Sequence, residues 1–291
     1  MSNHKSEEAI IDNVDRNLLS LEDLKLLQST INKVINFKKH DLKLAPSSDH
    51  LTENTTQGHE YKANLAKVFP HHLRNSLSEY KKCVFIISLE SKNFVDRQRL
   101  RASIKWISTQ FQACIVLVCD SIYRLTLEVR DQSKDDESRL KAFHIGQEFL
   151  NQNTSLFEQY SEGCNFQFKL ASEIEKKTSF EAYHQEFQRL YQTSESFSNL
   201  VISFAEIYIG RVEQIEEEKV EVRSLHKKKQ LAIAYLLEES ALITCLGEEG
   251  WPVFVYPGSI KTFEEIAEGL HPEVPVSLKQ MIWISLRLKK K

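Results

Sequence analysis

The sequence contains few glycines, and none of them stands in a phosphate-binding pattern. It has 8 glycines in 291 residues, with neither a G-x-G-x-x-G nor a G-x-x-x-x-G-K-[ST] arrangement. The dinucleotide fingerprint and the P-loop are therefore absent. The zinc-peptidase pattern H-E-x-x-H and the nucleophile-elbow pattern G-x-S-x-G are missing as well. These absences exclude the familiar nucleotide-binding and hydrolase motifs.

Cysteine, long apolar runs and net charge are also scarce. The five cysteines are odd in number, and Cys83, Cys114 and Cys119 lie in or beside apolar runs, which favours packed, reduced thiols over disulfides or a zinc site. No apolar run approaches the length of a membrane span, and the N-terminus is too polar for a secretory signal. A net charge of −3 gives no global attraction for nucleic acid or membranes. We expect a cytoplasmic protein without a membrane partner, in which any RNA contact comes from a local patch.

A strand–helix–strand unit is the clearest pattern in the chain. The run from Cys83 to Ser88 is apolar, rich in β-branched residues and short enough for a strand buried on both faces. A helical pattern follows from Phe94 to Phe111, and a second apolar run covers Ile115–Cys119. This is the βαβ unit of a parallel sheet, so the sequence predicts an α/β fold. Ser88 follows the first strand at its carboxyl end, where such sheets bind ligands.

The chain divides at about residue 60. An amphipathic helix is predicted between Leu21 and Val34, and the polar stretch Asp41–Glu60 has the composition of a linker. We therefore predict an N-terminal extension at residues 1–60, which docks on the main domain or on a partner, and a main domain at residues 61–291.

Further elements of the main domain follow from short patterns. Helices are predicted from Ser138 to Gln152, over Leu231–Glu239 and over Thr262–Gly269. A further long helical region is predicted to begin at Thr178, and it includes the apolar stretch Leu200–Ile209, which should be buried all round. Strands are predicted at Asn165–Ala171, Ala241–Leu246, Val253–Pro257 and Met281–Leu288.

Two sets of polar residues carry the candidate chemistry. Tyr235 and Glu239 are four residues apart on a predicted helix, so they share a face, where a phenol and a carboxylate could bind an ammonium group. The alternative is a solvated glutamate beside a packed tyrosine. Ser88 is either a nucleophile or the N-cap of the following helix.

Three short motifs together resemble one family, the tRNA-dependent cyclodipeptide synthases. The motifs are Ile87-Ser88-Leu89-Glu90-Ser91, Tyr235-Leu236-Leu237-Glu238-Glu239 and Val255-Tyr256-Pro257. The resemblance covers about Tyr61 to the C-terminus. It implies a Rossmann-like parallel sheet with flanking helices, similar to the catalytic domain of class I tyrosyl- and tryptophanyl-tRNA synthetases.

The resemblance also implies roles for individual residues. Ser88 matches the nucleophile that accepts an aminoacyl group, Tyr235 and Glu239 match the pair that holds its amino group, and Tyr256 matches a pocket tyrosine of the cyclising step. Ser91, with Tyr256 and Pro257, is similar to the subgroup marked X-Tyr-Pro.

The activity implied is the joining of two aminoacyl groups, taken from two aminoacyl-tRNAs through Ser88, into a cyclic dipeptide. Exchange of one ester for another needs no ATP, so we expect neither ATP nor a metal as cofactor. We also expect no DNA partner and a monomer. The alternatives are an inactive relative that binds aminoacyl-tRNA and a serine esterase, although no His-Asp pair or nucleophile elbow supports the latter.

Strand alternation predicts a wall for the first aminoacyl side chain. Val84 and Ile86 should share the face of Ser88, and Leu117, Cys119 and Leu242 should complete an apolar pocket with Ser91 and Pro257. Because Ile86 is bulky, we expect a small or medium uncharged residue, such as alanine. The alternative is that Ile86 faces the core.

The sequence contains only a weak pattern for a tRNA-binding surface. Family members often carry an arginine-rich helix after the second strand, but here Arg139 and Lys141 are diluted by acidic neighbours. Two other basic sets could supply phosphate contacts instead: Arg97, Arg101 and Lys105, and the run Lys227, Lys228 and Lys229.

The sequence His144-Ile145-Gly146-Gln147 is similar to the HIGH signature of class I synthetases, but it lies in a helical stretch and no KMSKS-like loop accompanies it, so we interpret it as coincidence.

Overall fold

The computed structural model describes residues 60–89, 91–131, 134–213 and 222–291. The predicted N-terminal helix and the linker up to residue 59 lie outside the described residues, so both remain predictions.

A six-stranded sheet forms the centre of the fold. Its strands are β1 (Tyr61–Phe69), β2 (Lys82–Ile87), β3 (Ala113–Val118), β4 (Asn165–Leu170), β5 (Val253–Tyr256) and β6 (Ile282–Lys290). The order across the sheet is β1-β6-β5-β2-β3-β4. β2 to β6 are mutually parallel, whereas β1 runs antiparallel to β6. The expectation of an α/β fold is confirmed, but the sheet is mixed rather than wholly parallel.

Ten α-helices in the described part of the chain flank the sheet. They are α1 (Lys92–Val95), α2 (Arg97–Gln110), α3 (Asp120–Asp131), α4 (Asp135–Glu158), α5 (Ala171–Ile174), α6 (Thr178–Thr193), α7 (Glu195–Glu213), α8 (Val222–Glu248), α9 (Lys261–Ala267) and α10 (Val276–Lys279). Two 3-10 turns, His71–Asn75 and Leu77–Glu79, connect β1 to β2.

The buried strands separate two apolar layers. Val84 and Ile86 of β2 belong to one layer, together with residues of α6, α7 and α8. Cys83, Phe85 and Ile87 point the other way, into a layer that contains residues of α2 and α4. This alternation follows from the two-residue period of a strand. It explains why β2 reads as a continuous apolar run, since both of its faces are covered.

The point where the strand order reverses lies between β2 and β5. The chain proceeds from β2 to β3 and β4 on one side, and then returns to place β5 on the other side of β2. In open α/β sheets the crevice beyond the carboxyl ends at such a reversal is the usual ligand site. Ser88 directly follows β2, and Tyr256 ends β5, so the topology brings both to this crevice.

The strand predicted at Ala241–Leu246 is wrong, because these residues lie within α8. A short apolar run fits a buried helix as well as a buried strand, and length decides between them. α8 is 27 residues long and packs against α3, α6 and α7. Its segment Leu225–Glu248 is long and apolar enough to cross a membrane, but 67% of that window is buried inside the protein, as in a core helix.

The helix predicted from Phe94 to Phe111 is divided at Asp96. The carboxylate of Asp96 accepts hydrogen bonds from the backbone N–H groups of Gln98, at 2.9 Å, and Arg99, at 3.3 Å. Asp96 is therefore the N-cap of α2. The short helix α1 before it turns the chain away from the end of β2.

The HIGH-like sequence lies in the middle of α4, where its glycine has a packing role. A Cβ atom at Gly146 would lie 2.6 Å from the Cβ of Asp120, the first residue of α3. Glycine thus permits close contact between α3 and α4.

Candidate active site

Ser88 lies at the carboxyl end of β2, where the chain turns sharply. Its carbonyl accepts the N–H of Ser91 at 3.1 Å. The hydroxyl of Ser91 in turn accepts the N–H of Asn93 at 3.3 Å and caps α1. The capping role considered for Ser88 thus belongs to Ser91, and no described residue forms a hydrogen bond with the Ser88 hydroxyl.

A cavity of about 900 Å³ opens beside Ser88. α1, α3, α7, α8, β5 and the segment from Ser259 to His271 supply its walls. Its lining residues are Ser88, Ser91, Lys92, Thr126, Arg130, Ser196, Asn199, Leu200, Ser203, Phe204, Ile207, Tyr208, Tyr235, Glu239, Tyr256, Ser259, Ile260, Lys261, Thr262, Glu265 and His271. The four residues predicted to be catalytic (Ser88, Tyr235, Glu239 and Tyr256) are all among them.

Glu239 is a buried carboxyl group in this cavity. Its exposed fraction is 4%, and burial raises its pKa from 4.5 to about 8. No cationic or hydrogen-bonding partner for it is found among the described residues. A buried carboxylate is costly unless a cation compensates it, so this position is suited to bind a positively charged group from a ligand.

Tyr235 lies one turn before Glu239 on α8. Burial, together with the neighbouring Glu239 carboxyl group, raises the pKa of Tyr235 well above its usual range. Its phenol therefore stays protonated near neutral pH and is available as a hydrogen-bond donor. Tyr235 and Glu239 therefore both line the cavity from α8.

Three aromatic rings from α7 and α8 form a stack along one wall. The ring centroids of Tyr208 and Tyr235 are 5.6 Å apart, and those of Phe204 and Tyr235 are 6.1 Å apart. The hydroxyl of Tyr208 donates to Oγ1 of Thr126 on α3, at 2.8 Å. The stack fixes the ring of Tyr235 and gives the cavity an aromatic, apolar surface.

The cavity lining also contains polar side chains. Ser196, Asn199 and Ser203 are three or four residues apart on α7 and line it as one stripe. The ring of His271, which is 7% exposed, shares a hydrogen bond of 3.1 Å with the hydroxyl of Ser196. The cavity thus offers both an apolar wall and hydrogen-bonding groups.

Tyr256 is held at the end of β5 by aromatic contacts on two sides. Its ring centroid lies 5.9 Å from that of Phe94 and 6.3 Å from that of Trp283. Gly258, with φ of +143°, follows closely, and a Cβ atom there would lie 3.3 Å from Cε1 of Tyr256. Glycine therefore suits this turn in both backbone conformation and space.

A buried ion pair fixes the part of α8 that carries Glu239. Arg124 of α3 donates two hydrogen bonds to the carboxylate of Glu238, at 2.8 and 2.6 Å. Arg124 also contacts Asp135, with a distance of 3.2 Å from Nε to Oδ1. Because Glu238 is the residue next to Glu239, this pair sets the position of α8 relative to α3.

The predicted apolar wall is not part of the cavity. Val84, Ile86, Leu117, Cys119 and Leu242 are buried in the core layer between the sheet and α8, and none of them lines the cavity. Pro257 is also buried outside it, and its carbonyl accepts a hydrogen bond from the Asn93 amide. Of the predicted pocket residues, Ser91 alone is in the lining. The core position of Ile86 removes the geometric basis for expecting a small first residue.

The two predicted basic sets also lie outside the cavity lining. On α2, Arg97 donates to the carbonyl of Gln152, at 3.3 Å, while Nε of Arg101 is buried and Lys105 is exposed. In the second set, Lys227 is exposed, but Lys228 is buried, with 4% exposure, and Lys229 pairs with Glu206 at 3.1 Å.

Sequence reasoning missed most of the cavity wall, above all α7. The segment Leu200–Ile209 is not buried all round, since Glu206 is exposed and Ile207 is 45% exposed. The sequence signal that could have revealed this wall is the polar stripe of α7, formed by Ser196, Asn199 and Ser203, which interrupts an apolar helix.

Within the described residues no group of three or more His, Cys, Asp or Glu side chains could hold a metal ion.

Comparison with solved structures relates this fold to the cyclodipeptide synthases. One from Fluoribacter dumoffii is 22% identical with a TM-score of 0.67, over 80% of this chain and 100% of that chain. A cyclodipeptide synthase from Candidatus Glomeribacter gigasporarum bound to Phe-tRNAPhe is 17% identical with a TM-score of 0.55, over 76% and 92%.

A third structure with a similar fold comes from Mycobacterium tuberculosis. The Mycobacterium tuberculosis protein, 13% identical with a TM-score of 0.57 over 80% of this chain and 94% of that one, is described as demonstrating that cyclodipeptide synthetases are related to type I tRNA synthetases. No protein-family model matches the sequence, and no curated protein matches it.

Proposed function

We propose that this protein is a tRNA-dependent cyclodipeptide synthase that forms a diketopiperazine from two aminoacyl-tRNAs. The observation that carries the proposal is one cavity, at the reversal of strand order, that contains Ser88, Tyr235, Glu239 and Tyr256. The fold shared with cyclodipeptide synthases, one of them bound to Phe-tRNAPhe, supports it. Ser91 and the Tyr256-Pro257 pair favour the X-Tyr-Pro subgroup.

The first step would be an exchange of esters. The Oγ atom of Ser88 attacks the carbonyl carbon of the aminoacyl ester, the bond to the ribose oxygen breaks, and the proton of Ser88 passes to that oxygen. An aminoacyl enzyme and free tRNA result. Because the substrate is already an activated ester, the step requires neither ATP nor a metal, and we propose neither as a cofactor.

Glu239 would act on the amino group of the bound residue. With a pKa of about 8, it is close in proton affinity to an α-amino group, whose usual pKa is about 7.7 to 8.0. It can therefore hold the group as an ammonium ion and also accept its proton, which frees the amine for attack. The protonated phenol of Tyr235 would orient the same group.

Two attacks by amines would complete the ring. The amine of the Ser88-linked residue attacks the ester of a second aminoacyl-tRNA, so that a dipeptidyl enzyme forms and the second tRNA leaves. The new terminal amine then attacks the Ser88 ester, closing the ring and restoring the Ser88 hydroxyl. Tethering gives this last step a high effective concentration. Tyr256 would relay a proton during closure.

The proposal places the protein in the cytoplasm, where charged tRNAs are made. It requires two aminoacyl-tRNAs and no DNA or membrane partner, and we expect a monomer. The second candidates remain an inactive relative that binds aminoacyl-tRNA and, with less support, a serine esterase.

Incubation of the purified protein with defined pairs of charged tRNAs tests the proposal. Mass spectrometry should detect a cyclic dipeptide, and the intact protein should carry one aminoacyl mass on Ser88. Binding of charged tRNA without either product would indicate the inactive relative. Hydrolysis of simple esters without transfer from tRNA would indicate the esterase.

A further inference from the structure

Three positively charged side chains of the cavity lining are exposed, and we therefore place them at the entrance of the cavity. Lys92 is the first residue of α1, Arg130 lies in the last turn of α3, and Lys261 is the first residue of α9. All three are exposed and contribute to the cavity lining. They come from three separate elements, so their presence in the lining of one cavity is a property of the fold and not of a basic run in the sequence.

Among the described residues that line the cavity, two carry carboxyl groups. Of the two carboxyl groups in the lining, Glu239 is 4% exposed and lies inside. The other, Glu265, pairs with Lys261 at 3.1 Å, one turn apart on α9. A lysine ammonium has three donors, so Lys261 can keep this pair and still bind a second acceptor. Among the described lining residues, the exposed cationic side chains thus outnumber the exposed carboxyl groups.

The two basic sets predicted from the sequence are less suited to bind a ligand that enters the cavity. α2 contributes its apolar face to the other core layer, and neither Arg97, Arg101 nor Lys105 reaches the cavity. In the second set, Lys228 is buried and Lys229 already pairs with Glu206.

We propose that Lys92, Arg130 and Lys261 bind the phosphates of the single-stranded 3′ end of an aminoacyl-tRNA. The inference rests on the proposed function: if Ser88 attacks the ester on the terminal ribose, the phosphates nearest to that ribose must lie at the cavity entrance. The guanidinium of Arg130 matches the bidentate geometry of a phosphate, and the two lysines add point charges. The contact is to backbone phosphates and carries no sequence preference.

Salt-dependent binding tests the site. The ligand is a charged tRNA analogue with an amide in place of the ester, which Ser88 cannot discharge. The variant Lys92→Gln/Arg130→Gln/Lys261→Gln is compared with Arg97→Gln/Lys105→Gln/Lys227→Gln, a matched control that removes three exposed cations from the other two sets. Circular dichroism and thermal unfolding verify that both variants fold.

We expect the slope of log K against log salt to become shallower by about two for the entrance variant, since each phosphate contact on a single strand contributes about 0.7. The control should keep the wild-type slope. Loading of Ser88 from charged tRNA should also fall more than loading from a small aminoacyl ester, which has no phosphates.

Two outcomes would overturn the inference. If the entrance variant keeps the wild-type slope, the phosphates bind elsewhere, and a loss confined to the control variant would assign them to α2 and Lys227. If the wild-type protein neither binds the analogue nor loads Ser88, the proposed function fails and this site fails with it.

Discussion

Ser88 is the residue on which the proposed chemistry depends most directly. Ser88→Ala removes one hydroxyl that forms no hydrogen bond with any described residue, so the free energy of unfolding should change by less than about 1 kcal/mol. The aminoacyl enzyme and the cyclic product should both disappear. Intact-protein mass spectrometry and product analysis measure this loss. Ser108→Ala, on the surface of α2, is the matched control and should keep both; product formation by Ser88→Ala would exclude the mechanism.

Glu239 makes the stability of the protein dependent on pH. Its pKa is raised to about 8 in the folded protein, so the folded state holds a proton that the unfolded state releases above pH about 4.5. The free energy of unfolding should therefore fall as pH rises from about 4.5 to 8. Above pH 8 the folded protein bears the full cost of burying the ionised Glu239 carboxylate. Glu239→Gln removes this ionisation.

We expect Glu239→Gln to be more stable than the wild type at pH 8.5, by a few kcal/mol, and close to it at pH 5. Loading of Ser88 should be lost at both pH values. Urea unfolding at the two pH values measures the stability difference. A difference that does not change with pH would show that Glu239 is ionised in the folded protein, and wild-type loading would refute its role at the amino group.

At the scale of single elements, the contact between α3 and α8 depends on the Arg124–Glu238 pair. Breaking a buried ion pair from one side leaves a buried charge and costs about 3–5 kcal/mol. Arg124→Met should therefore lower the melting temperature by roughly 10 °C. Arg124→Met/Glu238→Leu should recover most of that loss, because no buried charge is left unpaired; the carboxylate of Asp135, the other partner of Arg124, is 57% exposed.

Thermal unfolding of the single and double variants tests this expectation. A single variant that melts within 2 °C of the wild type would mean that water reaches the site and replaces the lost partner. Activity is the second readout: since Glu238 adjoins Glu239, the double variant should be stable but load Ser88 more slowly than the wild type.

The elements that could be predicted are those with both faces buried. β2, β3 and β5 were recognisable because each is a short apolar run that ends at a polar or turn residue. β1 was missed, since an edge strand of mostly half-buried residues has no such run. Ala241–Leu246 was misassigned because a fully buried helix loses the polar face on which periodicity depends.

The residues of the candidate site that could be predicted are those whose side chains are reactive or ionisable and stand in recognisable motifs. Ser88, Tyr235, Glu239 and Tyr256 were found through short motifs and a helical spacing. The cavity wall was not, because which residues line a space depends on how α7 and α9 pack. The error on Ile86 has the same origin: alternation along β2 gives the face, but not whether that face meets a helix or a cavity.

At the scale of the whole molecule, the division of the chain near residue 60 is open to a direct test. The described residues begin at residue 60 and belong to one compact unit, Gln57–Lys291. We expect a protein that consists of residues 57–291 to fold with a melting temperature within a few degrees of the full chain. It should also load Ser88 from charged tRNA. Failure of this fragment to fold would show that the first residues belong to the main domain.

The position of β5 between β2 and β6 has a consequence for synthesis of the protein on the ribosome. Ser88 emerges from the ribosome early, but Glu239 and Tyr256 follow much later in the sequence. At translation rates of about 5–20 residues per second, the interval is on the order of ten seconds. During that time Ser88 is an ordinary serine of a nascent chain, since the groups that would activate its substrate have not been made. If Ser88 acts as proposed, the late return of the chain to the centre of the sheet delays its reactivity until β5 has been made.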